Sequence, residues 1–138
     1  MKGLIPRWEE RFEIGIEDID LQHHFFLNLI NRLAGELTSA RDEERRAAVL
    51  AELNAYARFH FLSEENMMQR DSYPEFARHR RLHDDLIDSL SAREHEVILA
   101  DDAAAVDDIV RFLVDWFVHH TAGDDRLYAD FVHGRRAG

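Results

Sequence analysis

The chain contains no cysteine. Disulfide staples, thiolate metal sites and cysteine nucleophiles are therefore excluded. Proline and glycine are scarce, 2 and 6 among 138 residues, and both prolines (Pro6 and Pro74) fall outside the periodic stretches. No linker, low-complexity segment or short repeat divides the sequence, so one domain spanning 1–138 is expected. Basic residues are in deficit: 17 Lys and Arg against 28 Asp and Glu give a net charge of −11. That balance argues against nucleic acid or an anionic membrane surface as partner, because both select basic patches. No stretch reaches the roughly 18 apolar residues of a membrane span. Met1 to Glu10 holds no apolar run of signal-peptide length, so a cytoplasmic location is expected. No large apolar surface patch is foreseen, and the expected state is a monomer.

What the chain does have is helical periodicity and nine histidines. Apolar residues recur at spacings of three and four in four stretches, the mark of amphipathic helices. His23, Phe26, Ile30, Leu33 and Leu37 line the first; Val49, Leu53, Tyr56, His60, Glu64 and Met67 line the second. Phe76, His79, His83, Leu86 and Leu90 line the third; Val106, Ile109, Leu113, Trp116 and His120 line the fourth. The boundaries read as about 17–37, 43–70, 74–98 and 102–121, with Pro74 in a first turn and Asp101 or Asp102 as N-cap. Short turns make neighbouring helices antiparallel. The expected fold is all-α: an up-down-up-down four-helix bundle, an N-terminal arm (1–16) carrying Trp8, Phe12, Ile14 and Ile16, and a tail (122–138) with a short helical turn. His24, His95, His119 and His133 fall off the stripes and are expected at the surface, as is the mixed-charge run Arg41 to Arg46.

The spacing of the remaining histidines carries the chemistry. His23 and His60 are 60 − 23 = 37 residues apart, and so are His83 and His120 (120 − 83 = 37), while Glu64 and His79 are 79 − 64 = 15 apart. Each pair straddles a turn signal at its midpoint: Ala40-Arg41-Asp42, Asp71-Ser72-Tyr73-Pro74 and Ala100-Asp101-Asp102. A helical hairpin brings residues equidistant from its bend to one level, since each residue rises about 1.5 Å. Three bends thus place His23, His60, Glu64, His79, His83, His120 and Asp125 in one layer. These residues sit within the apolar stripes, where unpartnered polar groups cost free energy. Five imidazoles and two carboxylates exceed the needs of one tetrahedral zinc and suit two ions bridged by the carboxylates. The mixture of nitrogen and oxygen donors fits non-haem iron, with zinc and manganese also compatible.

Assembled, these strings resemble the hemerythrin family, in particular its single-domain bacteriohemerythrins. The matching residues are Gly15-Ile16-x-x-Ile19-Asp20-x-Gln22-His23, His60-Phe61-x-x-Glu64-Glu65-x-x-Met68, Tyr73-Pro74 with His79-x-x-x-His83, and Trp116-x-x-x-His120 with Asp125 and Tyr128. The resemblance implies a di-iron centre with an oxo or hydroxo bridge. It implies His79, His83 and His120 on one iron, His23 and His60 on the other, and Glu64 and Asp125 across both. The second iron would keep one open position for dioxygen, bound reversibly. The resemblance thus implies an oxygen carrier, store or delivery protein, not an enzyme; a di-iron enzyme reducing O2, peroxide or nitric oxide, or a sensor, is the alternative.

The second carboxylate is ambiguous by geometry. Asp124 lies at i+4 from His120 and Asp125 at i+5, and five residues of regular helix turn about 140° off the ligand face. Helix geometry favours Asp124; the resemblance, supported by Tyr128, implies Asp125. Gly123 marks a place where the helix could open into a wider turn. The resemblance also implies an apolar oxygen pocket at Phe26, Phe61, Trp116, Phe117 and Thr121. Phe26 and Phe117 stand where relatives usually carry leucine, and Thr121 where they usually carry isoleucine.

Overall fold

The second helix has a clear beginning. Asp42 is extended (φ −125°, ψ 159°), and its side chain accepts a 2.7 Å hydrogen bond from the Arg45 amide. An N-cap of this kind satisfies one of the amides a helix start leaves bare. Its end is equally defined. Ser72 takes a left-handed backbone (φ 54°), and the Tyr73 amide reaches back to the Met68 carbonyl at 2.9 Å. Pro74 then follows, in the position where a helix cannot resume.

The computed structural model describes residues 7–39, 42–100 and 103–137. The elements are α1 (Glu17–Ser39), α2 (Glu43–Arg70), α3 (Phe76–Ala100), α4 (Ala103–His119), a π-turn (His120–Asp124) and α5 (Asp125–Ala137). A short 3-10 turn, Glu10–Phe12, precedes them, and no strand occurs among the described residues. Each helix of the first four packs on the next, and α4 closes onto α1, so the bundle is antiparallel and four-membered. None of these helices is long and apolar enough to cross a membrane. The proposed caps Asp101 and Asp102, the turn residues Ala40 and Arg41, and arm residues 1–6 lie outside the described residues.

Three local details differ from the expectation. The third helix begins at Phe76, not Pro74: the Phe76 amide bonds the Tyr73 carbonyl at 3.1 Å, and that tight turn leads into the helix. The C-terminal segment extends the expected short turn into 13 residues of helix. Arg46 is buried, not solvated, because its guanidinium donates to the Val97 and Ile98 carbonyls at 3.1 and 2.9 Å. Those carbonyls belong to the last turn of α3, which has no basic residue of its own there.

Two apolar clusters share the interior. The larger fills the bundle around Phe26, Ile30, Leu53, Leu90 and Phe117. The smaller joins the arm to α5 and to the α2–α3 turn through Ile14, Ile19, Met68, Tyr73, Tyr128 and Val132. The arm is held by specific contacts. Asp20 accepts from the Ile14 and Gly15 amides at 2.9 and 3.0 Å. Trp8 stacks on His24 with ring centroids 3.4 Å apart, so His24 is half-covered, unlike the exposed His95, His119 and His133. From α5, Arg126 donates to the Arg11 and Glu13 carbonyls at 2.9 and 2.6 Å. The same helix pins the α2–α3 turn, with the Tyr128 hydroxyl on Asp71 Oδ2 at 2.5 Å.

Candidate metal centre

Helix spacing delivers the donors. His60 and Glu64 are one turn apart on α2, and His79 and His83 one turn apart on α3, so each pair shares a face. His23 comes from α1, and His120 from the first residue of the π-turn that follows α4. All seven predicted residues are buried, none more than 3 % exposed. They form two overlapping groups: Glu64, His79, His83, His120 and Asp125, and His23, His60, Glu64 and Asp125. Within each, the nitrogen and oxygen atoms on offer lie within 4.8 Å of one another.

The carboxylates divide their oxygens between the groups. Glu64 Oε1 lies 3.1 Å from His79 Nε2 and 3.3 Å from His83 Nε2, while its Oε2 lies 3.0 Å from His60 Nε2. Asp125 Oδ1 lies 3.1 Å from both His79 Nε2 and His120 Nε2, while its Oδ2 lies 3.0 Å from His23 Nε2. Each carboxylate thus spans from a three-imidazole side to a two-imidazole side.

The π-turn explains how Asp125 reaches this layer. Its amide bonds the His120 carbonyl five residues back, the hydrogen bond that defines a π-turn. The wider turn removes the rotation that would have carried Asp125 off the ligand face. Asp124 is placed elsewhere: its Oδ2 meets the outer nitrogen of His120, Nδ1, at 3.2 Å, and Arg78 lies 3.7 Å from its other oxygen.

Outer partners fix two more rings, and sequence reasoning assigned them no role. Gln22 Oε1 accepts from His60 Nδ1 at 2.7 Å, and its amide nitrogen donates to Ser63 Oγ at 3.0 Å. Glu65 Oε2 accepts from His83 Nδ1 at 2.8 Å. These contacts leave Nε2 of each ring as the free donor, the arrangement that orients metal-binding histidines. The available signal was adjacency, since Gln22 precedes His23 and Glu65 follows Glu64.

The fit to cations rests on unmet hydrogen-bonding capacity. His23 Nδ1 and Nε2, His60 Nε2, Glu64 Oε2 and both oxygens of Asp125 are buried without a hydrogen-bond partner. Nitrogens and oxygens crowd together there, His23 Nε2 3.0 Å from Asp125 Oδ2 and His60 Nε2 3.0 Å from Glu64 Oε2, and only a proton or a metal ion between them would satisfy both. Buried groups of this kind are costly unless something satisfies them.

The electrostatics agree. Burial opposes ionisation of Glu64, yet the charge of His60 and the contacts of His120 and His23 hold it well below the usual carboxylate range. Asp125 is held low against both burial and the Glu64 charge by His120 and His23. Burial disfavours charge on His23 and His79 as well, but Asp125 and Glu64 outweigh it and push both rings up to about 9. His120 is raised for the same reason, with Asp124 contributing, whereas burial dominates at His60 and lowers it. Two carboxylates in a dry core therefore demand positive charge, and without an ion they take it from protons on the imidazoles.

A model of the hemerythrin HHE cation binding domain matches residues 14–132. The chain belongs to the hemerythrin family. It is 33% identical over 128 residues to a bacteriohemerythrin of Stenotrophomonas maltophilia, covering 91% of this chain and 80% of that protein. It is 28% identical over 127 residues to a bacteriohemerythrin of Clostridium acetobutylicum, covering 89% of this chain and 98% of that one. A myohemerythrin of Theromyzon tessulatum is 24% identical over 122 residues, covering 88% and 89%.

In this hemerythrin fold four of the five expected pocket residues, Phe26, Phe61, Trp116 and Phe117, belong to or pack on the larger core cluster and set their rings against the buried histidines. Phe26 and Phe117 stand over the two-imidazole side, with ring centroids 5.8 Å from His60 and 5.9 Å from His23 respectively. Phe61 stacks on His83 at 4.1 Å and Trp116 on His120 at 4.8 Å. Phe26, Phe61, Phe117 and Thr121 are buried, and Trp116 is half-buried.

Proposed function

We propose that this hemerythrin binds dioxygen reversibly at two iron ions, as a carrier, store or delivery protein of the cytoplasm. His79, His83 and His120 would hold one iron, His23 and His60 the other, and Glu64 and Asp125 both. The observation that carries the reading is the division of each carboxylate between the two imidazole sets. One set then offers five protein donors and the other four. An ion held by His23 and His60 would have fewer protein donors than one held by His79, His83 and His120, and that side would be the one open to dioxygen. When bound, the iron pair supplies the two electrons that hold dioxygen and takes them back on release.

The protein's own groups do the rest. Gln22, Glu65 and Asp124 orient rings so that Nε2 faces inward. Phe26 and Phe117 exclude water from the two-imidazole side, which protects a reduced centre from oxidation. A second reading, a di-iron enzyme reducing O2, peroxide or nitric oxide, rests on Thr121, a hydroxyl residue buried next in sequence to His120.

The test starts from iron-loaded, reduced protein, exposed to air and then deoxygenated. A visible absorption band that appears and disappears reversibly supports the carrier reading. Irreversible oxidation with product turnover supports the enzyme. Metal analysis of the same sample should give two irons per chain. Retention of both after combined Glu64→Ala and His83→Ala would contradict the assignment.

A further inference from the structure

Helices α1 and α2 each carry a second, outward row of side chains whose large apolar members are Leu21 and Phe25 on α1 and Phe59 and Leu62 on α2. On α1 it runs Asp18, Leu21, Phe25, Asn28, Arg32, at spacings of three, four, three and four. On α2 it runs Ala55, Phe59, Leu62, Asn66, at spacings of four, three and four. This is the period with which one helix packs on another. The stripes point outward: Leu21 is 61%, Phe25 53%, Phe59 56% and Leu62 59% exposed. They form one surface. The Phe25 and Tyr56 rings are 4.8 Å apart, the Tyr56 hydroxyl donates to the Gln22 carbonyl at 2.7 Å, and Gln22 also bonds Ser63. Contrary to the expectation from sequence, an apolar patch is therefore present, in a chain otherwise rich in surface charge.

We propose that this face binds a second copy of the chain in a two-fold symmetric dimer, its axis passing beside Phe25. The stripe on α1 is self-complementary. Asp18 and Arg32 lie seven residues to either side of Phe25 (25 − 18 = 32 − 25 = 7). An axis at Phe25 therefore sets Asp18 of each copy beside Arg32 of the other, where it shares the guanidinium with Glu52 of Arg32's own copy, and places no like-charged pair within the α1 stripe. An isologous interface requires that kind of self-pairing. Four half-exposed Phe and Leu side chains present on the order of 400 Å² of apolar surface, a size that marks interaction sites. A stable interface buries about 800 Å² per partner, of which the apolar patch makes about half, with Gln22, Asn28, Ser63 and Asn66 on its polar rim. An anionic lipid surface is disfavoured by the net charge of −11.

Sedimentation velocity of the metal-loaded protein, from about 1 μM to about 1 mM, brackets weak self-association. The average mass of the wild type should climb towards twice that of the chain. Combined Phe25→Glu and Phe59→Glu should hold it monomeric throughout, with helical circular dichroism and metal content unchanged. Asp18→Lys or Arg32→Glu alone should weaken the dimer about tenfold, because the axis repeats the pair twice, and the two together should restore most of the loss. A wild type that stays monomeric across the range overturns the proposal. So does a dimer indifferent to Phe25→Glu and Phe59→Glu, or a monomer that pellets with neutral phosphatidylcholine vesicles.

Discussion

The metal-free protein should lose stability as the pH rises from about 6.5 to about 9, the reverse of what a buried acidic core suggests. In the folded chain His23 and His79 hold their protons up to about 9, because Asp125 and Glu64 face them in a site shut off from water. In the unfolded chain an imidazole releases its proton near 6.5. Between those values the folded state binds more protons, so stability is complete below 6.5 and drains away as the pH climbs through 9. For one imidazole the gap from 6.5 to about 9 corresponds to about 3 kcal/mol. The two rings share the same carboxylates, so their contributions do not simply add. His60 acts oppositely, its ring being depressed by burial, but its effect is spent by about pH 7. The assay is urea denaturation of chelator-treated protein at pH 7, 8 and 9. With a slope of about 2 kcal/mol per molar urea, the midpoint should fall by about 1–2 M. Asp125→Asn should flatten the dependence, since Asp125 touches both rings. A midpoint that stays level or rises, or an unchanged slope in Asp125→Asn, refutes the reasoning. The iron-loaded protein should show the opposite trend, releasing metal in acid, because only neutral imidazoles bind it.

Three further outcomes follow from particular contacts. Asp125→Ala should reduce bound iron from two ions per chain to one or none, while Asp124→Ala should retain both with a weaker hold on His120; equal loss in the two variants would contradict the separate roles given to these neighbours. Gly15→Ala should cost about 1–3 kcal/mol in thermal unfolding, because Gly15 has φ +84° and a methyl group there would stand 2.8 Å from the His133 ring. Adding His133→Ala should recover only part of that cost, since the backbone strain remains. Thr121→Ile should change the autoxidation rate of the oxygenated protein, measured by decay of its visible band, and identical rates would remove Thr121 from any role in the pocket.

Much of the bundle and its inner layer was legible because both obey simple periods. His23, His60, His83 and His120 announce the layer by equal separations across hairpin bends, and the apolar residues around them tell which face is inside. Asp125 was not legible by geometry alone. Regular helix puts Asp124 on the ligand face, and only a hydrogen bond reaching five residues back reverses the choice. The length of α5 was hidden for a related reason: its buried apolar residues among those described are only Tyr128, Ala129 and Val132, and the rest of its described sequence is polar or at least partly exposed. Arg46 sat inside a run of mixed charge, and its burial depends on carbonyls about 50 residues away in sequence. The outward stripe of Leu21 and Phe25 is interleaved with the inward stripe of His23 and Phe26. Sequence alone does not say that both exist until the inward one has been fixed.

The two ends of this bundle are not equivalent. Ser39 lies 39 − 23 = 16 residues beyond His23, a rise of about 24 Å, while Asp71 is only 71 − 64 = 7 residues from Glu64, about 10 Å. The near end is further stitched down by Tyr128, Arg126 and Asp20. Extra sequence, such as a fused reporter or a lengthened connection, belongs between Ser39 and Glu43 or between Ala100 and Ala103. The same insertion at Ser72 would tug directly on the residues that grip the metal.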